Sequence, residues 1–182
     1  YKIPLIEDAA HALGATFKGK PIGSISDFTM FSFQAIKHIT TADGGMLCIK
    51  NKKLINKAKR IRWFGIDREN SHPSILGERV FDIKKVGFKY HMNDLSAALG
   101  LGNLEGFPER QNRIRDIASM YRKELKDTLG LKLLNYKNDR ESAYWLFTIL
   151  VENRMDFINK MIVAEIPVSV IHQRIDRFSV FG

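Results

Sequence analysis

The sequence predicts an α/β protein in two parts, and three observations carry that reading. In the first hundred residues, short apolar runs bounded by turn residues alternate with segments of helical period. A long helical pattern follows, with Pro108 in its first turn and Gly130 behind it. The remainder reads strand, helix, strand, the pattern of a second, smaller α/β domain. The chain therefore divides into residues 1–105 and 106–182, with helix 108–129 as the connector.

In order, residues 3–7 (IPLIE) predict a short buried strand running into a carboxylate pair, Glu7-Asp8. Residues 13–17 and 26–33 predict two more strands, separated by the turn-forming Lys18-Gly19-Lys20-Pro21. Residues 45–50 predict another strand and 52–63 an amphipathic helix. The polar stretch 66–85 predicts a long loop, a length often associated with function. Asn93-Asp94 is positioned to cap a helix through Leu95, Ala97, Ala98 and Leu101. In the long helix Ile114, Ile117, Ala118, Tyr121 and Leu125 recur at steps of three and four. Strand 143–151 (AYWLFTILV), helix 154–164 and strand 167–171 complete the pattern.

Composition narrows the class. The 182 residues suffice for one domain with a core, or for one domain and part of another. Apolar residues at 45% and charged residues at 27% match a soluble globular protein, and no run of 18 apolar residues suggests a membrane span. The lone Cys48 cannot form an internal disulfide, which fits a reducing compartment; in GGMLCIK it reads as a small buried hydrophobe. The formal charge is +9, yet the densest basic stretch, Lys50 to Arg62, places its apolar residues at helical spacing, so its charges belong to a solvated face. There is no zinc-finger spacing and no aromatic RNA-binding box, so neither a metal nor nucleic acid is an expected partner. Tyr1-Lys2-Ile3 carries no initiator methionine or signal-peptide architecture, and Phe178–Gly182 no terminating element; the expectation is a fragment of a longer chain.

One residue asks for chemistry. Lys37 follows the apolar run Phe28–Phe33 and precedes Gly44-Gly45. A lysine amine in an apolar pocket loses its charge more readily and becomes a nucleophile able to form a Schiff base with an aldehyde. Pyridoxal phosphate supplies such an aldehyde, and asks for an acid at its ring nitrogen and for donors at its phosphate. Asp8 at a strand end and Ser32 five residues before Lys37 are candidates for those two tasks.

Three stretches then appear in order: Glu7-Asp8-Ala9-Ala10-His11-Ala12-Leu13-Gly14-Ala15, Gly19-Lys20-Pro21-Ile22-Gly23-Ser24, and Phe31 through Gly45. With Trp63-Phe64-Gly65-Ile66 and Val86-Gly87-Phe88-Lys89-Tyr90-His91-Met92-Asn93-Asp94, the chain resembles the DegT/DnrJ/EryC1/StrS family of pyridoxal-phosphate-dependent sugar aminotransferases. The resemblance is specific over residues 5–100 and weaker beyond residue 106. It implies the fold-type I architecture, with residues 1–105 as the C-terminal part of the cofactor-binding large domain and 106–182 as the connecting helix and an incomplete small domain.

The resemblance also assigns roles. Lys37 matches the lysine that binds the cofactor and then moves the proton. Asp8 matches the carboxylate at the pyridine nitrogen, His11 the residue near the 3-hydroxyl, and Ser32 a phosphate-binding serine. Lys89 stands where many members have an asparagine that reaches the neighbouring subunit's phosphate. His38 stands where many members have asparagine, and His91 where many have arginine. His172, in Val168–Arg174, falls in the stretch facing the sugar nucleotide. The implied reaction moves an amino group, from a donor such as glutamate, to a nucleotide-linked keto sugar, in surface-polysaccharide or deoxyamino-sugar biosynthesis, within a cytoplasmic homodimer. The alternatives are a sugar dehydratase of the same fold and a non-catalytic or regulatory member. Dehydratases commonly carry histidine at the lysine position, and His38 is one residue out of register for that.

Overall fold

The computed structural model describes residues 3–182; Tyr1 and Lys2, part of the start noted above, lie outside the described residues. The first strand, β1 (Ile6–Asp8), leads by a turn to the hairpin β2 (Thr16–Phe17) and β3 (Lys20–Pro21). The two residues joining that hairpin, Lys18 and Gly19, both have positive φ, 49° and 71°, which matches the right-handed twist of a two-residue hairpin turn. Next come β4 (Phe28–Ser32) and β5 (Gly45–Ile49), then α1 (Ile55–Ile61), entered through a 3-10 turn at Lys52–Leu54. Loop 66–85 holds a 3-10 turn at Arg68–Asn70 and a small hairpin, β6 (His72–Pro73) with β7 (Arg79–Val80). Helices α2 (Asp94–Leu104) and α3 (Phe107–Leu125) follow, then β8 (Leu131–Leu133), β9 (Arg140–Glu141), β10 (Ile149–Val151) and α4 (Arg154–Val163). Asn93 caps α2 as its sequence position suggests, its side chain accepting from Ser96 N at 2.8 Å.

The chain forms two compact units. The first runs to Ala118 and regains Tyr136–Leu146; the second is Ser119–Asn135 with Phe147–Gly182, so the boundary falls inside α3. In the first unit a sheet of order β1-β4-β5 pairs β1 parallel to β4 and β5 antiparallel to it. Ala9, Phe31, Phe33 and Ile39 form its core, with Ala12, Leu13, Ile22, Cys48, Met92 and Phe107 against them. The returning segment adds β9 to the edge of β2 and is fixed to α3 by Arg115, which bonds Gly14 O at 2.7 Å and Glu141 at 3.0 Å. In the second unit β8 and β10 pair antiparallel, and Tyr121 and Phe147 bring their rings to 5.2 Å.

Several expectations change. The first strand is shifted to residues 6–8 and is exposed rather than buried, with Ile6 64% accessible, because Ile6 projects with Asp8 and Met30 from the exposed side of the sheet. Stretch 143–151 is not one strand: Tyr144 takes a positive φ of 49°, Ala143 is buried in the first unit, and only Ile149–Val151 pairs. Residues 167–171 have no ladder partner among the described residues and form no strand. Among those residues no helix is long and apolar enough to cross a membrane.

Candidate functional site

Strand register decides which side chains meet. Asp8 lies opposite Met30 on β4, and Ser32 lies two residues further along the same strand. Paired residues share a face and faces repeat every two residues, so Asp8, Met30 and Ser32 project from one side of the sheet and Glu7, Thr29 and Phe31 from the other. Burial separates the two sides. Thr29 is fully buried and Phe31 is core, whereas Asp8 and Met30 are exposed and Ser32 is half-buried.

The acid pair therefore divides its labour. Glu7 Oε2 accepts from Ser26 Oγ at 3.0 Å and from Thr29 Oγ1 at 3.4 Å, which ties it to the interior. Asp8 Oδ1 accepts from Ala10 N at 3.0 Å in the turn after β1. Ser32 Oγ accepts from Gln34 N at 3.3 Å, so its O–H is available to donate to a ligand. Gly45 faces Ser32 across the ladder, and a Cβ there would run into Phe31 O, so no side chain covers the hydroxyl from that strand.

The segment after β4 is a built loop. Phe33 N donates to Gly44 O at 2.8 Å and Thr41 N to Phe33 O at 2.9 Å, closing its base, while buried Ile39 roots it in the core. Gln34 holds its tip, its backbone carbonyl accepting from Lys37 N at 3.0 Å and its side chain from Ile36 N at 3.1 Å. Lys37 is half-buried in this loop, which leaves the carboxyl end of β4.

One group has no counterpart in the sequence reading. The indole of Trp145, carried by the returning segment, stacks on His11 with ring centres 3.7 Å apart and planes at 19°. The ammonium of Lys37 lies 3.9 Å from the same indole's centre. The indole N–H donates to Ile36 O at 2.9 Å. Nearby, the Ala143 carbonyl accepts from His38 Nε2 and from Gln111 Nε2, both at 2.9 Å. Burial lowers the pKa of His38, the carbonyl bond opposes that, and the Lys37 charge adds to the lowering. Trp145 was hidden because its segment reads as continuous strand, and a contact between positions so far apart in the chain leaves no local signal.

Lys89 stands elsewhere. It bridges to Trp63, and neighbouring bonds from Phe64 N to Phe88 O and from Tyr90 N to Arg62 O lock the two stretches together. A cavity of about 430 Å³ opens beside them, lined by Arg60, Arg62, Trp63, Arg68 and His91 among others. Part of its positive charge is paired. Arg60 pairs with Asp67 at 2.6 Å, Lys59 with Glu69 at 2.6 Å, and Arg68 lies 4.3 Å from the Trp63 ring centre. His91 packs on that ring at 3.5 Å; burial lowers its pKa, and the charges of Lys89, Arg68 and Arg62 lower it further. His172 belongs to the second unit and is exposed.

The fold is that of an α/β protein whose parallel strands β1 and β4 end together, at Asp8 and Ser32, on the edge where such sheets bind ligands. The DegT/DnrJ/EryC1/StrS aminotransferase family matches residues 1–181, and this chain belongs to it. It is 36% identical over 151 residues to the UDP-4-amino-4,6-dideoxy-N-acetyl-beta-L-altrosamine transaminase of Campylobacter jejuni, covering 83% of this chain and 38% of that protein. The crystal structure of the sugar aminotransferase CalS13 from Micromonospora echinospora matches with a TM-score of 0.89 at 32% identity, over 100% of this chain and 48% of that one. Spr1654 from Streptococcus pneumoniae, in its PLP-form, matches with a TM-score of 0.81 at 30% identity, over 98% of this chain and 46% of that one; it is also known in a PMP-form. The chain thus spans less than half the length of these relatives.

Proposed function

We propose that this chain is the lysine-bearing part of a pyridoxal-phosphate-dependent aminotransferase that moves an amino group from a donor such as glutamate to a nucleotide-linked keto sugar. The observation that carries the proposal is the shared carboxyl edge of the parallel pair β1 and β4, where Asp8 and Ser32 end their strands and the Lys37 loop leaves β4. Its donor set suits the cofactor: a carboxylate oxygen for a ring N–H, a hydroxyl able to donate to a phosphate, and a primary amine. Pyridoxal phosphate, when bound, supplies an aldehyde for amine exchange and a ring that draws electrons from the donor's α-carbon.

The chain's own residues supply the rest. Asp8 would accept the ring N–H and hold that proton, which would maintain the electron demand. Ser32 fixes one end of the ligand through its phosphate. Lys37 Nζ takes the proton from the donor's α-carbon and later returns one to the sugar's carbon. His11 would lie near the cofactor's 3-hydroxyl. In the same reading Lys89 offers a point charge to a phosphate of the neighbouring subunit in a homodimer, and His172 faces the sugar nucleotide. A cytoplasmic place in surface-polysaccharide or deoxyamino-sugar synthesis fits that substrate. The dehydratase alternative is disfavoured by the lysine at position 37.

The test is amino transfer itself. With pyridoxal phosphate, glutamate and a nucleotide keto sugar, the whole enzyme of which this chain is the lysine-bearing part should release 2-oxoglutarate in step with amino sugar, and Lys37→Ala should abolish both products. Undiminished turnover in Lys37→Ala overturns the assignment.

A further inference from the structure

We infer that Trp145 is a positioning residue for Lys37, holding its amine in register with His11; the inference rests on the aminotransferase reading of the site. Three contacts of one side chain carry it. The indole N–H bonds the carbonyl of Ile36, the residue immediately before Lys37, and so fixes the peptide that aims the lysine. The lysine ammonium sits over the indole at 3.9 Å. His11, from the turn after β1, stacks on the same ring at 3.7 Å. One rigid aromatic therefore indexes the amine loop against the turn that follows Asp8.

The support behind the indole is also built. Tyr144, the residue before it, is held at a φ of 49°, a left-handed conformation that a bulky side chain adopts only when its surroundings impose it. Those surroundings are visible. Tyr144 N donates to Ser142 Oγ at 3.1 Å, and its ring packs on Tyr136 at 5.7 Å. Ala143 is 2% accessible and its carbonyl is clamped by His38 and Gln111. The left-handed backbone at Tyr144 takes the chain out of the extended direction immediately before Trp145. His38 completes the circuit, since it follows Lys37 directly and bonds the segment that carries the indole.

The experiment compares the protein with Trp145→Phe and Trp145→Leu, each checked for folding by circular dichroism. Without cofactor, NMR of the lysine ε-methylenes reads the ring current. Besides any shift of Lys18, which lies over Phe17, a signal displaced upfield should vanish in Lys37→Arg, persist in Trp145→Phe and return to the ordinary position in Trp145→Leu. With pyridoxal phosphate and borohydride, peptide mass spectrometry reads the rate of covalent fixation at Lys37. That rate should fall about 10- to 100-fold in Trp145→Leu and recover in large part in Trp145→Phe, as expected when a reacting group is displaced by about 1 Å. Absence of a displaced lysine signal in the unsubstituted protein overturns the inference without needing any variant to fold. Fixation in folded Trp145→Leu at the unsubstituted rate overturns it equally. A displaced signal with no fixation at Lys37 in any protein would instead overturn the cofactor reading and leave the lysine–indole contact standing.

Discussion

Glu7 and Asp8 are adjacent carboxylates with opposite duties, and pleating alone separates them. Glu7 turns inward and takes hydrogen bonds from Ser26 and the fully buried Thr29, while Asp8 turns to the open face. Removing Glu7 strands buried hydroxyls, so Glu7→Ala should cost about 1–3 kcal/mol of stability. Asp8→Ala should leave stability within about 0.5 kcal/mol, as for a surface position, and weaken pyridoxal phosphate binding instead. Urea unfolding and a cofactor titration on both variants check the pair. At this scale the sequence offers Asp8, Ser32 and Lys37 as candidates by residue type and order, and the family resemblance is what gives them roles. Trp145 is not among them, since only the folded chain brings position 145 to position 37.

At the scale of elements, the strands flanked by turn residues were readable and the rest less so. Phe28–Ser32 and Gly45–Ile49 fall inside the predicted strands, and the helix at Phe107–Leu125 begins one residue before Pro108. Short ladders escape because their stability comes from the partner: β8 at Leu131–Leu133 carries two leucines around a lysine, and pairing with β10 makes it a strand. The polar loop 66–85 likewise gains a hairpin that no apolar period foretells. Its frame depends on a close approach of two glycines. Gly65 has a φ of 82°, and a Cβ on Gly87 would run into the Gly65 nitrogen and the backbone of Phe64 and Ile61. Gly87→Ala should therefore cost about 1–3 kcal/mol through overpacking, read as a lower urea midpoint with loss of the Trp63–Lys89 bridge. A variant as stable as the parent would show that this backbone approach is not needed.

For the whole molecule, the α/β class and family were legible, but the partition was written in long-range contacts. The sequence suggests a break at residues 105/106, where the helical pattern restarts, whereas the compact units divide at Ala118 and return residues 136–146 to the first. That return follows from Gln111, Arg115 and His38 grasping the segment, a set of bonds no local pattern encodes. The large apolar side chains left exposed, such as Leu95 at 85% and Ile6 at 64%, explain why hydropathy predicted more burial than the described residues provide. The central claim is nonetheless narrow: Lys37 is the amine that takes the cofactor. Its most direct measurement is borohydride reduction in the presence of pyridoxal phosphate, followed by peptide mapping. The account predicts one pyridoxyl group, on Lys37, abolished in Lys37→Ala and diminished in Asp8→Ala. Label spread over surface lysines, or retained in Lys37→Ala at the same level, would contradict it.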